Sequence, residues 1–166
     1  MKNEYIELPV ATADGHFVAR YSEKGLAGLS FPAARASARA VKPAEIPSQI
    51  RAWHRATESA LKKILAGNQP KEFPPIELTG TDFQKSVWRQ LQKISAGKTK
   101  SYGEIAQAIG KPKAVRAVGG ACGANPIPVL VPCHRVLAAN QKIGGFSGGM
   151  HWKRSLLTRE GVRVKD

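Results

Sequence analysis

Cys133 and His134 are adjacent in the second half of the chain, and Glu160 follows near its end. A cysteine reacts as its thiolate, and an ordinary thiol pKa of about 8.5 leaves little thiolate at neutral pH unless a base or a cation lies close by. His134 is suited to be that base, with Glu160 as the group that orients it. Adjacent side chains on a strand point to opposite faces, so the pair needs a bridging water or an irregular backbone, which Pro132 favours. By itself, a Cys-His pair is more often a small buried side chain beside a surface histidine.

The charge of the chain is unevenly distributed. The 166 residues carry a formal net charge of +14, and residues 1–78 hold 11 basic and 8 acidic side chains whereas residues 79–166 hold 15 and 4. Positive charge concentrated in the second half favours a polyanion such as nucleic acid as the partner, although a basic, solvated surface gives the same count. No apolar run approaches the roughly 20 residues of a membrane helix, and the start has no signal-peptide pattern, so we expect a cytoplasmic protein.

The first half reads as a small α/β unit. Three short segments with strand-like composition are separated by turn residues, of which Asp14-Gly15 is a hairpin signal. These predicted strands are residues 5–10, 16–21 and 25–31. Residues 32–45 form an irregular link, apolar residues at helical spacing predict a helix over 46–65 that ends near Gly67, and residues 71–75 look like an inter-domain connector.

The second half begins with two helix-start patterns. Thr81 with Gln84 predicts a capping box for a helix that Gly97 stops, and Ser101 with Glu104 predicts a second one for a short helix. That short helix should end at Gly110. Pro112 suits the first position of a further helix over residues 113–121. Two short helices joined by a glycine-containing turn read as a helix-turn-helix, a pattern that many helix pairs share.

The second helix of this pair is made almost entirely of small residues, including Gly119 and Gly120. A glycine costs about 1 kcal/mol in a helix interior, so something should offset it. Either the helix packs tightly against its neighbours or it approaches a narrow groove closely. Arg116 is its only long charged side chain beyond Lys113, and it could contact phosphate, stack on a base or be solvated.

An apolar strand over residues 127–131 should be buried and should deliver Cys133. A glycine-rich segment, 144–149, precedes a last helix over 150–160, with Leu156 and Leu157 facing inward and Gly161 as its stop. Cys122 and Cys133 are the only cysteines, and we expect both to be free thiols. No Cys/His set has the spacing of zinc ligands.

The segment 132–135, Pro-Cys-His-Arg, follows Asn125-Pro126 and the apolar strand. Together they resemble the active-site signature of the O6-alkylguanine-DNA alkyltransferases. The other matching segments are residues 101–106 and 112–119, which resemble the two helices of that family's DNA-binding element, and residues 146–149 and 156–161, which match its closing segments. The resemblance spans residues 79–162 without an evident gap, whereas residues 1–78 share only the layout of strands, one helix and a linker.

This resemblance implies a catalytic set of five residues, Cys133, His134, Glu160, Asn125 and Tyr102. Cys133 would be the nucleophile and alkyl acceptor, His134 its base acting through a water, and Glu160 the group that holds the histidine. Tyr102 would push the DNA backbone at the target nucleotide and help to protonate the departing guanine.

It also implies roles in DNA binding and in the base pocket. Arg116 would fill the space left by a flipped base, and Asn125 would tie the recognition element to the active-site turn. The other residues assigned to DNA binding are Ala114, Ala117, Gly119 and Arg135. The residues assigned to the pocket are Pro128, Val136, Phe146, Ser147 and Gly148. In this family the recognition helix docks in the minor groove, which agrees with its small residues here.

Two departures from the family matter. Phe146 stands where many relatives have tyrosine, so we expect a slightly altered substrate preference. The zinc ligands that some relatives carry in the first domain have no counterpart, because both cysteines lie in the second half. Cys122 lies near the presumed pocket but lacks a histidine partner, so packing is its expected role.

The expected architecture is therefore an α/β (α+β) protein of two domains. Residues 1–75 would form a mixed-sheet, ribonuclease-H-like domain with its connector, and residues 76–166 a mainly helical domain with the helix-turn-helix and the cysteine turn. The implied function is DNA repair without a cofactor or metal, by stoichiometric transfer from O6-alkylguanine, and also O4-alkylthymine, to the protein, acting as a monomer on double-stranded DNA. The alternatives are a non-catalytic alkyl-lesion-binding protein and a Cys-His hydrolase, which would not need Tyr102, Arg116 or the basic half.

Overall fold

The computed structural model describes residues 4–33 and 42–165. Five strands and five α-helices are present in these ranges. In chain order they are β1 (Ile6–Thr12), β2 (Gly15–Tyr21), β3 (Leu26–Ser30), α1 (Ser48–Leu65), α2 (Asp82–Leu91), β4 (Lys100–Ser101), α3 (Tyr102–Ala108), α4 (Val115–Gly123), β5 (Val136–Leu137) and α5 (Met150–Arg159). Of the predicted link over 32–45, residues 43–45 form a single 3-10 turn, and residues 34–41 lie outside the described ranges.

The first three strands form an antiparallel meander in the order β1-β2-β3. A hairpin joins β1 to β2 as predicted, with Ala13 and Asp14 in its turn, and Gly15, whose φ of 117° favours glycine, opens β2. Alternate residues of β2, among them Phe17 and Tyr21, are fully buried, as expected for a sheet with one solvated face. We predicted a mixed sheet, but in the described part of the chain this sheet is antiparallel apart from one parallel bridge between Leu26 and Ile76. The bridge forms where the chain after the predicted connector pairs with the start of β3.

Helix α1 covers the sheet. Its buried residues recur at helical spacing, and Thr57 among them accepts a 2.9 Å hydrogen bond from the Tyr21 hydroxyl of β2. The helix ends at Leu65, close to the predicted end, and Gly67 with a φ of 83° follows its cap residue. The local sequence therefore predicts both the existence and the end of this helix.

The second half is mainly helical. The Thr81-Gln84 capping box is present with both of its bonds. At α3, the Ser101 hydroxyl accepts from the Glu104 amide, while the Glu104 carboxylate lies 4.0 Å from Lys100 instead of returning to the cap. Helix α2 packs on α4. The indole of its Trp88 donates a 2.8 Å hydrogen bond to the carbonyl oxygen of Ala121.

Three predictions about this half are wrong in detail. Helix α2 ends at Leu91, well before the predicted stop at Gly97. Helix α4 begins at Val115, not at residue 113, so Pro112 lies in the preceding turn instead of at the first helical position. Residues 127–131 are buried but form bends and turns, with Val129 at a φ of 75°, instead of a strand. Prolines 126, 128 and 132 remove backbone donors that a strand would use, so the segment folds back on itself.

The two halves share one continuous apolar core. Polar contacts join them as well, because the Leu29 amide of β3 donates to the Pro126 carbonyl at 2.9 Å, and Arg159 of α5 pairs with Asp14 in the β1-β2 turn at 2.6 Å. The first half is thus bonded directly to the loop that precedes Cys133 and to helix α5, which follows it. Within the described ranges no helix is both long and apolar enough to cross a membrane.

Candidate active site

Cys133 opens a short 3-10 turn, Cys133–Arg135, that follows Pro132. The irregular backbone expected from Pro132 is therefore present. The thiol is buried, with 4% of the residue exposed, and it lies in the wall of a cavity. A nucleophile in this position can be reached only by a group that enters the cavity.

His134 lies on the interior side of the same turn and is completely buried. Its Nε2 is 3.2 Å from Oε2 of Glu160, the residue that caps the end of α5. Burial lowers the pKa of His134 and the Glu160 carboxylate only partly offsets this, so the imidazole is neutral and can accept a proton. Its Nδ1 is buried and has no hydrogen-bond partner among the described residues. A free ring nitrogen of this kind is what a base acting through a water requires.

Glu160 is shared between two neighbours. Besides His134, it accepts bonds from Arg135, whose Nε and Nη2 lie 2.9 and 2.7 Å from its oxygens. Burial alone would raise the pKa of Glu160, but the bonds and charges of these two partners outweigh it and hold that pKa at about 2. The carboxylate is therefore ionised at all physiological pH values and fixes the histidine ring.

Arg135 does not fit the DNA-binding role predicted for it. It is 2% exposed, and its guanidinium is occupied by Glu160 and by the Ile94 carbonyl at 2.6 Å. The family resemblance implied that role, but the turn directs the side chain inward. It stabilises the Glu160 end of α5 instead.

Lys153 of α5 is a site residue that the sequence analysis missed. It is completely buried, and its ammonium donates to the carbonyls of Val136 at 2.7 Å and Gly145 at 3.1 Å. Burial lowers its pKa to about 8, so it is mostly charged at neutral pH. Burial raises the pKa of the Cys133 thiol, while the Asn125 amide and the Lys153 charge act in the opposite direction. A lysine in an amphipathic helix is normally solvated, so no local signal marked this one.

Asn125 shapes the loop that carries Cys133. Its Nδ2 donates to the Val131 carbonyl at 2.7 Å, and its Oδ1 accepts from the Ile127 amide at 2.9 Å. These two bonds replace the ladder that a strand would have supplied. The side chain, placed just after α4, thus connects that helix to the cysteine turn, in line with its predicted role.

The cavity at Cys133 has a volume of about 380 Å³. Its walls are Tyr102, Gly119, Cys122, Gly123, Cys133, Gly145, Phe146 and Ser147. Phe146 and Ser147 are therefore where they were predicted. Pro128, Val136 and Gly148 are not among the lining residues: Val136 is fully buried, and Gly148 lies against the rings of Phe31 and Phe146. Cys122 contributes to the wall as well as to packing.

Tyr102 lines the same cavity as Cys133, and a two-residue parallel pairing brings the two segments together. Strand β4, which leads into α3, pairs with β5, which follows the cysteine turn. Burial, reinforced by the two nearby thiols, raises the pKa of Tyr102 to about 12. The phenol is therefore protonated at neutral pH and can donate to a group in the cavity.

Helix α4 presents a slim face to solvent. Arg116 and Ala117 are exposed, Ala114 and Gly119 are partly exposed, and a methyl group placed on Gly119 or Gly120 would meet no atom within 4 Å in the described part of the chain. Packing inside the protein therefore does not account for these glycines. Gly119 also lines the cavity at Cys133, and the close approach of this helix to an external groove stays a prediction.

Comparison with known proteins agrees with this geometry. Residues 82–162 match the model of the DNA-binding domain of 6-O-methylguanine DNA methyltransferase. A methylated-DNA–protein-cysteine methyltransferase of Mycobacterium bovis is 50% identical over 104 residues, a match that spans 63% of this chain and 63% of that protein. The chain's match thus covers less than two thirds of that curated relative's length.

Solved structures extend the match to nearly the whole chain. The crystal structure of Mycobacterium tuberculosis O6-methylguanine methyltransferase superimposes with a TM-score of 0.74 at 34% identity, covering 98% of this chain and 97% of that one. The Mycobacterium tuberculosis protein in complex with DNA gives a TM-score of 0.68 at 35% identity, covering 92% and 90%. The fold is thus that of the O6-methylguanine methyltransferases. The chain belongs to the O6-methylguanine-DNA methyltransferase family.

Proposed function

We propose that this protein repairs DNA by moving an alkyl group from guanine O6 to Sγ of its own Cys133. The observation that carries the proposal is the arrangement at the cavity: a buried cysteine in its wall, beside a neutral histidine that Glu160 holds by a 3.2 Å contact. A relative with a similar structure has been solved in complex with DNA. The lesion is itself the alkyl donor, so the reaction needs no cofactor.

The chemical step conserves protons. The Cys133 proton passes through a water to the free Nδ1 of His134, and the thiolate attacks the saturated carbon on O6. The new S–C bond forms as the C–O6 bond breaks, and the electron pair of the broken bond stays on the guanine. Tyr102 donates a proton to the departing guanine, and the proton taken up by His134 returns through water to Tyr102, so that no proton is gained or lost overall. The product is a thioether, which water does not hydrolyse, so one molecule repairs one lesion.

Access to the cavity requires the base to leave the helix, because guanine O6 in a stacked duplex is out of reach of a buried thiol. Helix α4 docks in the minor groove as the second helix of a helix-turn-helix, and its small residues allow close approach. Arg116, exposed on that helix, fills the space left by the flipped base. Tyr102 pushes the DNA backbone at the same nucleotide.

The remaining assignments extend this proposal. The protein acts as a cytoplasmic monomer on double-stranded DNA and also accepts O4-alkylthymine. Residues 1–75 form a ribonuclease-H-like domain with its connector, and residues 76–166 the DNA-binding and alkyl-transfer domain. The continuous core between the two supports a single working unit.

The test is a titration with excess lesion. The protein is incubated with a molar excess of duplex containing O6-methylguanine, and restored guanine is counted after DNA digestion. We expect a plateau at one guanine per protein molecule, none for Cys133→Ala and an unchanged plateau for Cys122→Ala. Tight binding without restored guanine would instead indicate a lesion-binding protein. Neither binding nor repair would favour a Cys-His hydrolase, to be assayed on activated esters.

A further inference from the structure

Four aromatic side chains form a cluster that bridges the two halves of the protein. The bridging cluster consists of Phe17 in β2, Phe31 just after β3, Phe146 in the glycine-rich loop and Trp152 in α5. The ring of Phe31 lies at the centre, with centroids 5.6 Å from Phe17, 5.8 Å from Phe146 and 5.0 Å from Trp152. Contacts at these distances and tilted angles are the favourable geometry for aromatic pairs.

Phe146 belongs to both the cluster and the cavity at Cys133. Among the lining residues it and Tyr102 are the two large side chains, and three of the others are glycines. The position of the Phe146 ring therefore sets the size of the space beside the thiol. Its own loop is bounded by Gly144 and Gly149, both with positive φ.

Phe31 is the part of the first half that reaches this ring. It meets Phe146 edge to face, with an interplanar angle of 81°. The end of β3 is held by the bond from the Leu29 amide to the Pro126 carbonyl, two residues before Phe31. Gly148 makes room for the ring, because a methyl group there would lie 2.6 Å from a Phe31 carbon and 3.0 Å from one of Phe146.

We infer that Phe31 is a positioning residue for the alkyl pocket. It holds the Phe146 ring as a wall beside Cys133, and so the first half of the chain determines which O6 substituents fit. A small substituent needs that wall to keep the base close to the sulfur, and a bulky one needs the space behind it. This inference rests on the proposed function, since it names the size of the alkyl group that the same site accepts.

The experiment compares single-turnover alkyl transfer from two duplexes that differ only in carrying O6-methylguanine or O6-benzylguanine. Rates are measured over a range of duplex concentrations, which separates the maximal rate from the half-saturating concentration. The variants are Phe31→Ala, Phe31→Tyr, which keeps the ring, and Gly148→Ala, which displaces it. Phe73→Ala is the matched control, because Phe73 is 41% exposed and lines a different cavity. Thermal melting verifies that each variant is folded.

For Phe31→Ala and Gly148→Ala we expect the benzyl-to-methyl ratio of maximal rates to rise about tenfold, the range that a single pocket contact controls. The half-saturating concentration should stay within about twofold of the original protein, because the DNA-facing helix is untouched. Phe31→Tyr and Phe73→Ala should keep the original ratio. An unchanged ratio in both folded variants, or an equal loss for both lesions, would overturn the inference. Absence of transfer from either duplex to the original protein would contradict the proposed function itself.

Discussion

At Cys133, burial and nearby polar groups act on the thiol in opposite directions. Burial raises its pKa, and the Asn125 amide and the Lys153 ammonium lower it without cancelling the effect. The resting thiol is therefore largely protonated, and its reactivity depends on a base that receives the proton during the reaction. His134 is neutral and partnered by Glu160, so it meets this need.

Replacing Glu160 by glutamine should slow alkyl transfer by about 100-fold, because His134 loses the carboxylate that orients it and stabilises its protonated form. The measurement is the single-turnover rate of guanine restoration at neutral pH. Lys62→Gln, on the exposed face of α1, serves as the control. A rate within about twofold of the original protein would show that the carboxylate has no part in the chemistry.

The lowered pKa of Glu160 predicts how the stability of the protein depends on pH. That pKa is about 2 in the folded protein against an ordinary value of 4.5. A lowered pKa adds stability above pH 4.5, and this contribution disappears as the pH falls through 2. The free energy of unfolding of the original protein should exceed that of Glu160→Gln by on the order of 3 kcal/mol at neutral pH. Urea unfolding from pH 7 to pH 2 should show the difference shrinking, and a constant difference would contradict the assignment.

Replacing Lys153 by methionine should make the thiol less reactive, since it removes the cation that lowers the Cys133 pKa. We expect the rate of Cys133 modification by a small electrophile such as iodoacetamide to fall about tenfold at neutral pH, with its pH midpoint moved upward. The loss of the 2.7 Å bond to the Val136 carbonyl should also lower stability by about 1–3 kcal/mol. An unmoved pH midpoint would exclude an electrostatic role for the lysine.

At the scale of elements, α4 combines features that an isolated helix would avoid. Its glycines lower helix stability and are not required by any neighbour in the described residues. This loss of helix stability has an explanation if the exposed face of α4 must approach another surface closely. Cys122 and Gly119 on the same helix also reach the cavity, so binding and chemistry share one element.

Gly119→Ala separates stability from DNA affinity. In the free protein it should raise the free energy of unfolding by up to about 1 kcal/mol, because the added methyl group meets open space. Affinity for a lesion-containing duplex should fall about tenfold, because the same methyl group meets the groove wall. Denaturant unfolding and fluorescence anisotropy measure the two effects, with Ser59→Ala in α1 as control. Unchanged affinity would refute the docking of this face.

The elements that could be predicted are those whose signals are local. The Thr81-Gln84 cap, the Asp14-Gly15 hairpin and the stop at Gly67 each depend on residues a few positions apart. The prediction of a strand over residues 127–131 was wrong. An apolar composition does not reveal that the Asn125 side chain forms hydrogen bonds with the backbone of this segment. The start of α4 was predicted two residues too early because a turn precedes the helix, closed by the bond from the Ala114 amide to the Lys111 carbonyl.

At the scale of the whole molecule, the two halves meet around the site. Asp14 of the first half pairs with Arg159 at the end of α5. Phe31 of the first half packs on Phe146, which lies just before the start of α5. Such contacts join residues far apart in sequence, which is why neither they nor the burial of Arg135 and Lys153 could be read from the chain. The motif identified Cys133, His134 and Glu160, but only the fold shows what surrounds them.

Alkylation should destabilise this assembly. Cys133 is 4% exposed. It lies between the loop that Asn125 holds and the buried Arg135, so an added group crowds buried neighbours. Inserting a methyl or larger group into a packed interior typically costs about 1–3 kcal/mol. The thermal midpoint should therefore fall after reaction with a methylated duplex, while Cys133→Ala treated in the same way should not change. An unchanged or raised midpoint would contradict this expectation.

The most direct measurement is intact-protein mass spectrometry after incubation with a duplex that contains one O6-methylguanine, followed by peptide mapping. We expect one hydrogen to be replaced by one methyl group per protein molecule, the methyl group to map to Cys133, and Cys133→Ala to gain nothing. A methyl group on Cys122, or no mass gain despite tight binding of the duplex, would contradict the proposed transfer to Cys133.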